Sequence, residues 1–207
     1  MGSMYILGLT GASGAGKSLA ATVFERQGFA VIDADAVAHG AAAPGSPCLA
    51  ELAAAFGGEI LREDGSLDRR RLARIAFSDA QRLERLNAIT HPHIMRLIAH
   101  RLDALRADGA NYVLLDAPAL YQSGADALCD RVLAVTAPRG LCIRRVMERD
   151  GLSEEEAARR LRAVDEAYFT QKADYVLENS GDKGPYEAAL EALALRIILQ
   201  AAGNLKP

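Results

Sequence analysis

The amino-acid sequence predicts an α/β fold: a parallel sheet of about five strands flanked by helices, with an inserted helical lobe and a helical lid. Three observations lead to this prediction. Short apolar runs alternate with helical stretches along the chain, which favours a parallel sheet whose strands are joined by helices. A glycine-rich loop follows the first apolar run, and a long segment without strands separates the second run from the third.

The predicted strands are short apolar runs with turn residues on either side. They cover residues 5–9, 30–33, 112–116 and 131–135, and residues 175–178 are a further candidate. Helical stretches fill the connections between them, and the last, at residues 186–199, carries Leu190, Leu193 and Ile197 at helical spacing. That spacing places the three side chains on one inward face of an amphipathic helix.

The long interval between the second and third strands predicts a separate lobe. Residues 36–109 contain helix-like segments broken by glycines and prolines, and a simple crossover between parallel strands needs far fewer residues. We therefore expect residues 36–110 to form an inserted helical lobe and residues 139–172 to form a lid. The core then consists of residues 4–35, 111–138 and 173–200.

The loop after the first strand has the form Gly-x-x-x-x-Gly-Lys-Ser, from Gly11 to Ser18. Backbone N–H groups at the start of a helix cradle phosphate oxygens, and the glycines let the backbone approach closely. Lys17 would reach the outer phosphates and the Ser18 hydroxyl would hold Mg²⁺. A fortuitous glycine-rich turn is the alternative, but a strand before and a helix after are the context that this motif requires.

The sequence therefore predicts binding of ATP or GTP together with Mg²⁺. The loop residues expected to contact the nucleotide are Gly11, Ser13, Gly14, Ala15, Gly16, Lys17, Ser18 and Leu19.

Composition narrows the class of protein. The 207 residues are 50% hydrophobic and 25% charged, which is ordinary for a globular protein. The net charge of −3 argues against a general nucleic-acid binder or a binder of membrane surfaces. Three widely spaced cysteines without a metal-ligand spacing favour a reducing, cytoplasmic setting. No apolar run approaches the roughly 20 residues that span a bilayer. For the oligomeric state, we expect a monomer or a small homo-oligomer.

Acidic residues end two of the predicted strands. Asp33 ends the second strand with Asp35 two residues later, and Asp116 ends the third. Ligands of open α/β sheets bind beyond the carboxyl ends of the strands. A carboxylate there accepts a proton from an attacking hydroxyl or orients a magnesium-bound water. A helix N-cap is the alternative. We favour chemistry for Asp35, whereas Asp116 fits a magnesium-associated acid and a cap equally well.

Arginines crowd the segment after the fourth strand. Arg145 and Arg149 lie four residues apart and so share one helix face, and Ser153 with Glu156 forms a capping box that starts another helix. Two basic helices with a break at residues 150–151 are typical of a lid that brings positive charge over a transferring phosphoryl group. The alternative is a solvated helical face whose arginines pair with neighbouring glutamates.

Two features of the lobe have competing interpretations. Arg69 and the other arginines of residues 62–74 either receive an anionic substrate or are ordinary surface residues. His91 and His93 lie at a spacing that resembles a metal pair, but further ligands are missing from the nearby sequence. We expect Pro92 to begin a helix, with His91 near its N-cap.

The chain resembles the dephospho-coenzyme A kinase family, which has the P-loop kinase fold. The resemblance covers about residues 5–199. It is carried by Gly-Leu-Thr-Gly at 8–11, Val-Ile-Asp-Ala-Asp at 31–35, Pro-Gly-Ser-Pro at 44–47, Phe-Gly at 56–57, Asp-Gly-Ser-Leu-Asp-Arg at 64–69, Phe77, His-Pro-His-Ile at 91–94, Arg145, Arg149 with Asp150, and residues 173–181.

The resemblance implies ATP-dependent phosphorylation of the ribose 3′-hydroxyl of dephospho-coenzyme A, the last step of coenzyme A biosynthesis. In that family the acid matching Asp35 is the base and the arginine matching Arg145 contacts ATP, so Asp35, Lys17 and Arg145 are expected to be catalytic. Arg149 and Asn179 join the loop as ATP-binding residues. The residues expected to bind the acceptor are Asp35, His39, Arg69, His91, Asp116 and Pro118.

The chain departs from the family pattern mainly on the acceptor side and in the lid. Family members usually have Arg at the position of His39, Glu at Gln122, and Gln at Cys142 and near Val164. A related kinase that phosphorylates another small-molecule alcohol is therefore the alternative enzyme. A nucleotide-dependent switch is the alternative from another class, and it would need an effector loop ordered by the γ-phosphate.

Overall fold

The computed structural model describes residues 4–162 and 166–203, and these divide into two compact units. The first unit contains the chain up to Ile32 and from Leu105 onward, and the second contains Asp33–Ala104. The first unit carries the sheet, and the second consists mainly of helices. The division into core, lobe and lid at the boundaries given above stays a prediction.

The sheet has five strands in the order β2-β3-β1-β4-β5. The strands are β1 (Tyr5–Gly11), β2 (Ala30–Asp33), β3 (Tyr112–Asp116), β4 (Arg131–Thr136) and β5 (Tyr175–Glu178). β1 pairs in parallel with both β3 and β4, and β4 pairs in parallel with β5. The predicted fold class is confirmed. The carboxyl ends of these strands lie at one edge of the sheet, which is where a ligand site is expected.

Nine α-helices are present in the described residues. They are α1 (Lys17–Arg26), α2 (Ala34–Ala41), α3 (Pro47–Phe56), α4 (Arg69–Ala76), α5 (Ala80–Ala107), α6 (Arg139–Asp150), α7 (Glu154–Arg162), α8 (Glu166–Lys172) and α9 (Lys183–Ala201).

The core of the first unit forms between the sheet and its helices. Leu7, Leu9 and Leu133 on the central strands are fully buried, as are Phe24 of α1 and Leu190 of α9. Fully burying a side chain of this size contributes about 1.5–3 kcal/mol. The central strands are therefore buried by apolar packing, which holds the carboxyl end of β1 and the loop that follows it in place.

The second unit has its own apolar cluster, which includes Cys48, Leu52, Ile60 and Leu72. Local capping fixes its helices. The Ser46 hydroxyl accepts a hydrogen bond from the backbone N–H of Leu49 at 3.1 Å, ahead of Pro47 at the start of α3. No strand lies between residues 36 and 104 of the described chain, as the sequence predicts.

The prediction that Pro92 begins a helix is wrong. α5 runs from Ala80 to Ala107 with Pro92 inside it, so His91 lies mid-helix. Pro92 lacks an N–H and leaves the Ala88 carbonyl without its usual partner, but the helix continues, and Ile98 and Leu102 are buried after this point. In the described ranges, neither α5 nor any other helix is both long and apolar enough to cross a membrane.

Candidate functional site

The glycine loop joins β1 to α1 in the first unit and depends on small residues for its packing. Gly14 has φ of 80°, and a Cβ placed there would lie 2.7 Å from the Cys142 carbonyl oxygen on α6. Gly16 has φ of 115°, and a Cβ there would overlap the side-chain amide of Asn179. Both positions combine left-handed backbone with close contact, which side chains tolerate poorly. The glycines of the motif therefore seat the loop tightly on α6 and on the segment after β5.

Side chains from within the loop and from α9 bond several of the loop carbonyls. Lys17 Nζ donates to the carbonyl of Gly11 at 2.7 Å and to that of Ala12 at 3.1 Å. Tyr186 Oη donates to the Gly16 carbonyl at 3.4 Å. Burial raises the pKa of the Tyr186 phenol, so it stays a neutral donor at physiological pH. These bonds fix the orientation of peptide units within the loop.

Arg145 and Asn179 hold the middle of the loop. Arg145 Nη1 donates to the Gly14 carbonyl at 3.0 Å, and its Nη2 donates to Asn179 Oδ1 at 3.3 Å. Asn179 is only 3% exposed; its Nδ2 donates to the Ala15 carbonyl at 2.9 Å, and its Oδ1 also accepts from the Gly181 N–H. Asn179 thus connects the loop, the arginine of α6 and the turn after β5. Its role in this arrangement is to position other groups.

The N-terminus of α1 completes the anion-binding geometry. Gly16 is its N-cap residue, and no side chain caps the helix. Uncapped N–H groups and the positive end of the helix dipole favour an anion at this point. Ser18 is exposed in the first turn, whereas Leu19 is half-buried and packs against the core. The loop can therefore accept phosphate oxygens on its amide side, with Ser18 beside them.

Arg149 reaches the loop from the end of α6. Its Nη2 donates to Ser13 Oγ at 3.2 Å, and its guanidinium also forms two hydrogen bonds with Asp150, at 2.7 and 2.8 Å. Hydrogen bonding to Arg149 holds the pKa of Asp150 below its usual value. The predicted capping box is confirmed, because Ser153 N donates to Glu156 Oε2 and Glu156 N donates to Ser153 Oγ. α6 and α7 are therefore separate helices, and α6 directs both Arg145 and Arg149 at the loop.

Asp116 and Pro118 follow the neighbouring strand of the same unit. Asp116 ends β3, and one of its carboxylate oxygens is fully buried. The next element is a short 3₁₀ helix at Ala125–Leu128 whose N-cap is Gly124, so Asp116 does not cap a helix. Thr10 Oγ1 donates to the Pro118 carbonyl at 3.3 Å, which ties this segment to the end of β1. The magnesium-associated role of Asp116 stays a prediction.

The second unit contains a cavity of about 200 Å³. Its lining is mainly apolar and includes Leu52 and Leu72, together with the buried thiol-bearing residue Cys48. His39 and Arg69 also line it, and Arg69 Nη2 donates to the His39 carbonyl at 3.0 Å. The structure therefore brings these two predicted acceptor residues together. An apolar pocket with a guanidinium beside it suits a ligand with an uncharged part and an anionic part.

Asp35 and His91 differ in exposure: Asp35 is exposed, whereas His91 is half-buried. Asp33 caps α2 by accepting a hydrogen bond from Ala36 N at 3.0 Å, which leaves Asp35 exposed in the first turn. Within the described part of the chain, the helix-capping hydrogen bond is made by Asp33, so the Asp35 carboxylate is not used to cap α2. His91 is half-buried, does not line the cavity, and burial lowers its pKa. Asp35 is therefore accessible to a ligand, and His91 has no contact that supports its predicted acceptor role.

The sequence reasoning missed two contributors to this site. Tyr186 enters the sequence analysis only as the first residue of the last predicted helix, although a buried phenol needs a hydrogen-bond partner and indicates a polar contact. Asp150 was noted only as a neighbour of Arg149, although it bonds to that arginine. The departure at Val164 lies outside the described residues.

The family model and the curated relatives of this chain identify one family. The family model described as dephospho-CoA kinase matches residues 5–184. A dephospho-CoA kinase of Moorella thermoacetica is 44% identical over 191 residues, which cover 91% of this chain and 90% of that protein. A Thermus thermophilus protein of known crystal structure is 38% identical with a TM-score of 0.79, over 94% of this chain and 98% of the other. The dephospho-CoA kinase from Campylobacter jejuni is 26% identical with a TM-score of 0.67, over 97% and 98%.

Proposed function

The chain belongs to the dephospho-CoA kinase family, and we propose that it transfers the γ-phosphate of ATP to the ribose 3′-hydroxyl of dephospho-coenzyme A. The product is coenzyme A, and the reaction is the last step of its biosynthesis. The observation that carries the proposal is the phosphate loop, whose carbonyls are bonded to Lys17, Arg145, Asn179 and Tyr186. This arrangement supports phosphate binding on the amide side of the loop.

In this mechanism the cations of the first unit bind and stabilise the transferring phosphate. Lys17, Arg145 and Arg149 surround the loop, and phosphoryl transfer depends on positioning and on charge compensation of this kind. Asn179 forms hydrogen bonds with both Arg145 and the Ala15 carbonyl of the loop, which fixes Arg145 relative to the loop. These side chains are pre-organised by the fold, so little reorganisation is needed when charge develops on the phosphate oxygens.

The residues present fit a magnesium ion that the nucleotide brings with it. In the described part of the chain, no group of three or more His, Cys, Asp or Glu residues could hold a metal ion alone. Ser18 offers an exposed hydroxyl in the first turn of α1, and Mg²⁺ is usually held by few protein oxygens together with substrate phosphates. We propose that Ser18 supplies this ligand. Bound Mg²⁺ would neutralise charge on the phosphates.

Most of the groups proposed to act on the acceptor belong to the second unit. Asp35 is exposed, and as a carboxylate it would accept the proton of the 3′-hydroxyl as that oxygen attacks. We assign the anionic pyrophosphate of the acceptor to Arg69, with His39 beside it, and the uncharged arm to the apolar cavity. Asp116 and Pro118 are proposed to contact the acceptor as well. The family relationship favours this acceptor over another alcohol.

Identifying the phosphorylated product tests the function directly. The purified chain should consume ATP only when dephospho-coenzyme A and Mg²⁺ are present, and phosphorus NMR should show a new 3′-phosphomonoester. A panel of nucleosides, sugars and pantothenate-type alcohols supplies the control, and each should be a much poorer acceptor. If one of these alcohols were the preferred acceptor, the kinase chemistry would stand and the acceptor assignment would be wrong. Acceptor-independent hydrolysis alone would favour a nucleotide-dependent switch.

Two further properties belong to the proposal. We expect a cytoplasmic location because the free cysteines at 48, 129 and 142 are typical of a reducing compartment. We expect a monomer or a small homo-oligomer, which sedimentation of the purified chain would establish. Neither property enters the proposed mechanism, since the residues given roles above all come from a single chain.

A further inference from the structure

The carboxylate of Asp150 lies between two arginines at the end of α6. It accepts hydrogen bonds from Arg149 Nε at 2.7 Å, from Arg149 Nη2 at 2.8 Å and from Arg160 Nη1 at 2.8 Å. The same Nη2 of Arg149 donates to Ser13 Oγ in the phosphate loop at 3.2 Å. A continuous chain of hydrogen bonds therefore leads from α7 through Asp150 and Arg149 to the loop.

The local backbone explains how the two arginines meet one carboxylate. α6 ends at Asp150, and the next residue, Gly151, has φ of 66° and lets the chain reverse before the capping box starts α7. That reversal returns Arg160 to the end of α6. The two hydrogen bonds from Arg149 to its own neighbour use the Nε–Nη2 edge of the planar guanidinium, which fixes the direction of the remaining N–H groups.

A carboxylate near a phosphate-binding loop is electrostatically unfavourable for nucleotide binding, so its presence there calls for another role. A negative charge close to a phosphate-binding loop repels the nucleotide, and removing it should strengthen nucleotide binding if charge alone mattered. The structure instead bonds the carboxylate with three N–H donors on two arginines. The group of Arg149, Asp150 and Arg160 keeps a net positive charge while the guanidinium of Arg149 gains a defined orientation.

We propose that Asp150 is a positioning residue that holds Arg149 at the phosphate loop, with Arg160 as its second anchor. Asp150 acts through Arg149 and touches no substrate. This inference rests on the proposed kinase function for its effect on turnover. It also predicts an effect on ATP binding alone, which does not depend on the identity of the acceptor.

A double-mutant cycle tests the proposal. Asp150→Asn should lower kcat/KM for ATP and weaken equilibrium ATP binding, each by about tenfold, because Asn cannot orient the guanidinium through two charged oxygens. In the Arg149→Ala background the same substitution should have almost no further effect, since its target is gone. Arg160→Ala should cause a smaller loss in the same direction.

Matched controls come from α7. Arg159 and Glu155 form an exposed pair at 4.0 Å, so Glu155→Gln and Arg159→Ala should leave ATP binding and turnover unchanged. Thermal unfolding of every variant separates positioning from loss of fold. If Asp150→Asn unfolds, Arg160→Ala still tests the arrangement, because that side chain is 55% exposed.

Two results would overturn the proposal. One is tighter ATP binding by Asp150→Asn with unchanged kcat, which would mean that the carboxylate only repels nucleotide. The other is an equal loss in the wild-type and Arg149→Ala backgrounds, which would mean that Asp150 acts independently of Arg149. A wild-type chain that binds ATP but does not phosphorylate dephospho-coenzyme A would contradict the proposed function, while the ATP-binding cycle would still decide the role of Asp150.

Discussion

The two units of the molecule present their functional side chains in different ways. In the first unit the phosphate loop is bonded on several carbonyls, and Asn179, which is almost fully buried, connects the loop to Arg145. In the second unit Asp35 and Arg69 are exposed, and they belong to a helical unit with an apolar cavity. The first unit is pre-organised by hydrogen bonds, whereas the second unit contains an apolar cavity lined by few polar groups.

The difference follows from what each region is proposed to bind. Phosphates carry concentrated charge, and fixed amide and guanidinium groups recognise them best when reorganisation is avoided. An acceptor with a long uncharged arm is recognised mainly by apolar burial, with a small number of charges that set its orientation. We therefore expect substitutions in the first unit to affect phosphate chemistry, and substitutions in the second unit to affect use of the acceptor.

The largest effect is expected for Lys17→Ala in the first unit. Removing a cation that clamps the transferring phosphates costs about 10³–10⁵-fold in rate. Lys17 donates to the Gly11 and Ala12 carbonyls but is not part of the apolar core cluster, so the fold should persist. Stopped assays of ATP consumption with dephospho-coenzyme A measure the loss, and circular dichroism checks the fold. Near-normal turnover by a folded variant would show that the loop does not bind the transferring phosphates.

A smaller effect on rate is expected for Asp35→Asn in the second unit. The substitution keeps the size of the side chain but removes the proton acceptor, and general-base catalysis contributes roughly 10²–10⁴-fold. We expect kcat to fall while the ATP dissociation constant stays nearly unchanged. Asp33→Asn is a matched control, since Asn caps a helix as well as Asp does. A loss of ATP binding equal to the loss of rate would make Asp35 an organiser of the metal instead.

The smallest effect concerns stability rather than catalysis. Burial raises the pKa of the Cys129 thiol from 9.0 to about 12, so the folded state favours the neutral thiol. This contribution is fully present below pH 9 and is lost as the pH rises toward 12, because the unfolded chain ionises first. The free energy of unfolding in urea should therefore fall as the pH rises above about 9. Cys129→Ala should flatten this decline, and an identical decline in the variant would contradict the assignment.

Local patterns in the sequence predicted much of the fold. Residues 30–33, 112–116 and 175–178 are strands with the predicted bounds, because short apolar runs between turn residues have few alternatives. The phosphate loop and the Ser153–Glu156 capping box were also predicted, since each places its residues at fixed spacing. The prediction at Pro92 failed, because a helix can continue past a proline when packing on either side compensates.

Contacts between distant segments could not be predicted from the sequence. Tyr186 lies 170 residues from the loop carbonyl that it bonds, and Asn179 lies 164 residues from Ala15. Spacing along the chain contains no information about such pairs. The bond between Arg160 and Asp150 depends on the reversal at Gly151. The sequence therefore does not indicate which arginine of this segment bonds to Asp150. The predicted roles of His91 and Asp116 are in the same class and still require functional tests.

The separation of roles between the two units is tested most directly by two arginine truncations compared in one assay. Arg149→Ala and Arg69→Ala both remove exposed guanidinium groups, one from each unit. Initial rates measured over a matrix of ATP and dephospho-coenzyme A concentrations give both KM values for each variant. We expect Arg149→Ala to raise the KM for ATP about tenfold and Arg69→Ala to raise the KM for dephospho-coenzyme A by a similar factor, each leaving the other KM nearly unchanged. Equal shifts in both KM values for both variants would contradict the separation.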